Sequence, residues 1–61
     1  MTNFRELVHY AKGIVAKHPD LKEEIDGLLE LCWSEIEEGG SEQHEIDLCE
    51  RDIQSLVAEK V

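Results

Sequence analysis

The chain has 61 residues, with 15 Asp and Glu against 6 Lys and Arg, a formal net charge of −9 and 41% hydrophobic residues. A chain this short buries only about 60% of its unfolded surface, which allows one small domain and a modest core but argues against a water-excluding catalytic cleft. The charge argues equally against direct nucleic-acid binding, because that affinity comes mainly from Lys and Arg displacing counterions. No stretch approaches the roughly 18 to 20 apolar residues of a membrane span, and residues 1–20 lack a charged leader with an apolar run. The expected location is cytoplasmic.

Helical periodicity occurs three times, with a breaker between each pair. Phe4, Leu7, Val8, Ala11, Ile14 and Val15 make the first apolar stripe. Asn3, with Glu6 three residues on, has the pattern of a capping box, so a helix over 3–17 is predicted. Pro19 ends it, since its ring disfavours αR at His18 while its missing N–H suits the first turn of the next helix. Leu21, Ile25, Leu28, Leu29, Cys32 and Ile36 form the second stripe, widened by Trp33, and predict a helix over 19–38. Gly39-Gly40 stops that helix and Ser41 can cap the next, predicted over 42–59 from Ile46, Cys49, Ile53, Leu56 and Val57. No alternating β-branched run supplies a sheet.

The predicted fold is an all-α, antiparallel three-helix bundle in a single domain over 1–61. Its expected core is Leu7, Ala11, Ile14, Leu28, Cys32, Ile36, Cys49, Ile53 and Leu56. The alternative is a helix-2/helix-3 hairpin that dimerises. Leu31 and Leu48 lie equally far from the glycine pair, each about 100 to 120° off its main stripe, and should meet on one flank of an antiparallel hairpin. Glu24, Glu35, Glu45 and Asp52 surround them, and Tyr10 can cover the same flank.

Candidate chemistry is sparse. Cys32 and Cys49 have no C-x-x-C spacing and no second pair, so they are expected to be buried thiols facing each other rather than metal ligands. His9, His18 and His44 are scattered, and no serine sits in a G-x-S-x-G elbow. Gly39-Gly40 lacks the phosphate-loop pattern, and no EF-hand spacing accompanies the acids around it. Asp47-Leu48 has no intervening serine, unlike the prosthetic-group site of compact acidic carrier proteins. No catalytic residue, cofactor or metal is assigned.

Charge is the informative feature. Residues 1–19 carry Arg5, Lys12 and Lys17 against Glu6, while residues 20–61 carry 14 acids against Lys22, Arg51 and Lys60. Glu23, Asp26, Glu30 and Glu37 fall within about 60° of one another on the side of the second helix away from the core. Like charges at i+3 and i+4 cost about 0.2 to 0.5 kcal/mol each, and Glu35, Glu37 and Glu38 lie at the negative end of the helix dipole. The expected function is a non-catalytic regulator that docks this carboxylate row, with Glu38 and Glu42 at the tip, on a basic surface of a partner protein. Small size, acidity and the lack of a catalytic motif resemble phage-encoded DNA-mimic inhibitors in general character. The alternative is an assembly module whose apolar face, with Leu31, Leu48, Tyr10 and Trp33, forms a homodimer or receives a partner helix.

Overall fold

The computed structural model describes residues 3–60. Three α-helices, α1 (Phe4–Lys17), α2 (Lys22–Glu37) and α3 (Glu42–Lys60), pack as a rod with extents of 34 × 18 × 15 Å, and no strand occurs among the described residues. The three-helix bundle expected from periodicity is therefore the fold.

Each boundary has a local cause. Asn3 is extended and its Oδ1 accepts the Glu6 N–H at 2.9 Å, satisfying a donor that the first turn of α1 cannot pair internally. After His18 the chain does not enter α2 directly. Pro19–Leu21 form a 3-10 turn, closed by the Leu21 N–H donating to the His18 carbonyl at 3.0 Å. The second helix thus begins as α at Lys22 rather than at 19, because the turn imposed by Pro19 bonds three residues back, not four.

Gly39 and Gly40 close α2 with a complete Schellman pair. The Gly40 N–H donates to the Glu35 carbonyl at 2.9 Å and the Gly39 N–H to the Ile36 carbonyl at 3.1 Å. Gly39 has φ +103°, a conformation that L side chains rarely adopt. At Gly40 a Cβ would stand 2.8 Å from the Glu35 carbonyl oxygen, so the close approach excludes any side chain there without backbone movement. Ser41 then accepts the His44 N–H on its hydroxyl at 3.5 Å and starts α3.

The core is Leu7, Ala11, Leu21, Ile25, Cys32, Ile46, Cys49 and Ile53. Of the expected core, Ile14, Leu28, Ile36 and Leu56 are only half-buried, while Leu21, Ile25 and Ile46 are buried. Leu28 and Leu56 are half-buried because they line an open groove between α2 and α3, and Leu21, in the Pro19 turn, closes that end of the core.

Candidate functional site

Two contacts fix the ends of the rod. At one end the Phe4 N–H, an unpaired donor of the first turn of α1, gives a hydrogen bond to Glu42 Oε2 at the start of α3 (3.3 Å). At the other, Lys60 forms an ion pair with Asp20 across the Pro19 turn. The hydrogen bond from Lys60 holds the Asp20 carboxyl below its ordinary value, and the same partnership raises Lys60.

With the ends fixed, the charge proves to be polarised along the axis. The half nearer Gly39-Gly40, comprising 3–9, 30–38 and 42–49, holds Glu6, Glu30, Glu35, Glu37, Glu38, Glu42, Glu45 and Asp47 with Arg5 as its one Lys or Arg. The half nearer Pro19 holds the remaining seven acids but five cations: Lys12, Lys17, Lys22, Arg51 and Lys60. The sequence pattern showed an acidic α2 and α3, but not that the up-down-up chain course gathers five of the six Lys and Arg at the Pro19 end and leaves the acids of the other end almost without cations. That polarity was readable in principle, from the hairpin order and the position of each Lys and Arg relative to the two turns.

The row Glu23, Asp26, Glu30 and Glu37 is exposed on α2. Asp26 is bonded to Lys22 at 2.8 Å, so one member of the row is partly neutralised. Glu30 and Glu37 flank Trp33, the single tryptophan, which stacks at a tilt on Phe4 with ring centroids 4.9 Å apart and remains 45% exposed. Glu38 caps the C-terminus of α2 and is exposed, and Glu42 serves the tip as well as capping α1.

Leu31 and Leu48, 61% and 41% exposed, line one recess of about 200 Å³ between α2 and α3. Leu28, Cys32 and Cys49 form its floor, and Glu35, Glu45 and Asp52 stand around it. The expected meeting of the two leucines on an acidic flank is thus present. Tyr10 and Trp33 are not part of it. Tyr10 packs half-buried against the core, and Trp33 faces the other side of α2, roughly 160° around the helix from Leu31, so the expected continuous apolar face is divided.

Cys32 and Cys49 are buried and free. Burial pushes both thiols up, Cys49 to about 12, and the Cys49 thiol lies 3.6 Å from the Leu28 carbonyl as a weak donor. Thiols held this far from ionisation pack as small apolar groups at neutral pH. Among the described residues no group of three or more His, Cys, Asp and Glu is placed to hold a metal ion, and no helix is long and apolar enough to cross a membrane. No family model, curated protein or solved structure matches the chain.

Proposed function

We propose that this protein is a non-catalytic regulator that docks its acidic end and the α2 carboxylate row on a basic surface of a partner protein, occupying that surface. The observation that carries this reading is the axial polarity: eight carboxylates and one Arg in the half nearer Gly39-Gly40. From Glu23 to Glu37 the row runs about 21 Å along one rigid helix, so its charges need little ordering on contact. Fixed carboxylates along a rod can stand in for a strand of phosphates, which makes a nucleic-acid-handling protein a suitable partner and inhibition by occupancy the consequence. Trp33, between Glu30 and Glu37, offers an indole face to an incoming Arg or Lys.

Capture of the partner from an extract of the producing cells, with elution by a salt gradient, tests the reading. The variant Glu23→Gln/Asp26→Asn/Glu30→Gln/Glu37→Gln should keep the fold and lose the salt-eluted partner. Retention equal to that of the unmodified chain would remove this function.

A further inference from the structure

The recess under Leu31 and Leu48 continues along the rod. A second hollow, lined by Gly27, Leu56 and Glu24, shares Leu28, Leu31 and Asp52 with it, so the two form one groove between α2 and α3. From Glu24 to Glu35 this groove is about 16 Å long, three helical turns. Toward its Glu24 end, a Cβ on Gly27 would meet no neighbouring atom within 4 Å, so the wall there is open to the approach of another backbone. Glu24 and Glu35 stand on the α2 side, Glu45 and Asp52 on the α3 side, and no Lys, Arg or His lines either hollow.

We infer that this groove receives an amphipathic helix of a partner protein whose apolar stripe is flanked on both sides by Lys or Arg. A trough between two antiparallel helices suits a third helix laid along it, read by apolar anchors at i, i+3, i+4 and i+7. The acids on both rims choose the charge of that helix. They also disfavour a second copy of this chain, because a two-fold contact through this flank would set the same carboxylates against one another. The groove lies roughly 120° around α2 from the row of Glu23, Asp26, Glu30 and Glu37, so this inference stands apart from the docking proposed above.

The probe is a fluorescein-labelled synthetic peptide of about 14 residues, with Leu in one helical stripe, Lys on both flanks and Ala elsewhere, read by anisotropy. A scrambled peptide of the same composition is the control. The ordered peptide should bind at least about tenfold more tightly than the scrambled one, and Leu31→Gln/Leu48→Gln should weaken it about tenfold. The four-amide row variant should change it less than about threefold. Leu31 and Leu48 are exposed, so the double variant should show the helical circular dichroism of the unmodified chain, and an alternative variant, Glu35→Gln/Glu45→Gln/Asp52→Asn, should also weaken the peptide. Equal binding of ordered and scrambled peptides, indifference to Leu31→Gln/Leu48→Gln, or equal loss in the row variant would overturn the inference. So would sedimentation as a dimer that the Leu31→Gln/Leu48→Gln variant dissociates.

Discussion

Gly39 and Gly40 carry the sharpest single-residue demands in the chain, and for different reasons. Gly39 has a left-handed φ and Gly40 has a carbonyl where its side chain would be. Gly39→Ala should cost about 1 to 2 kcal/mol in denaturant unfolding, and Gly40→Ala should also destabilise, because the Glu35 carbonyl belongs to the last turn of α2 and can yield only by loosening it. Cys49 makes a different prediction. Its folded pKa of about 12 exceeds the ordinary 9.0, so the unfolded chain loses the proton first as pH rises. Stability contributed by the neutral thiol is complete below pH 9 and declines between pH 9 and about 12. Thermal melts at pH 7 and pH 10 should show a smaller alkaline loss in Cys49→Ala than in the unmodified chain, although the variant starts from a lower Tm.

At the scale of elements, what the sequence revealed and what it withheld divide along local and non-local causes. Helix starts and stops were legible because Asn3, Pro19, Gly39 and Ser41 act on their own neighbours. The meeting of Leu31 and Leu48 was legible too, since a tight turn fixes the register of the hairpin it joins. The 3-10 turn at Pro19–Leu21 was not, because a proline at the first position permits either helix type. Glu42 capping α1 was invisible, because the bond joins residues 38 apart in sequence. The division of Trp33 from Leu31 was a matter of helical phase that the broad apolar pattern of α2 obscured. The Asp20–Lys60 pair is equally non-local, and its pH dependence has a definite sign. The lowered Asp20 pKa means that its contribution is present above about pH 4 and fades as pH falls, while the raised Lys60 pKa means that it fades again above about pH 10. Lys60→Met should therefore lower Tm at pH 7, and the part of that loss due to the pair should shrink as pH falls below about 4.

For the whole molecule, uneven charge is the governing property. A rod with net charge −9 and one strongly acidic end repels itself, and mobile ions relieve that repulsion. Raising sodium chloride from about 20 mM to about 0.5 M should raise Tm, and Glu37→Gln/Glu38→Gln should raise it at low salt by removing charge from the negative end of the α2 dipole. The row itself is less costly than its sequence suggests. Lys22 pairs with Asp26, and Glu23 lies in the first turn of α2, where the helix dipole favours an acid. The strain of like charge is concentrated at the tip, the part most available to a basic partner.

The decisive measurement is the affinity of the captured partner as a function of salt, followed through the fluorescence of Trp33 for the unmodified chain and the four-amide row variant. Docking through carboxylates predicts affinity falling at least about tenfold between about 50 mM and 500 mM salt, and a shallower slope with weaker low-salt binding in the variant. Affinity independent of salt and equal in the two proteins would contradict it.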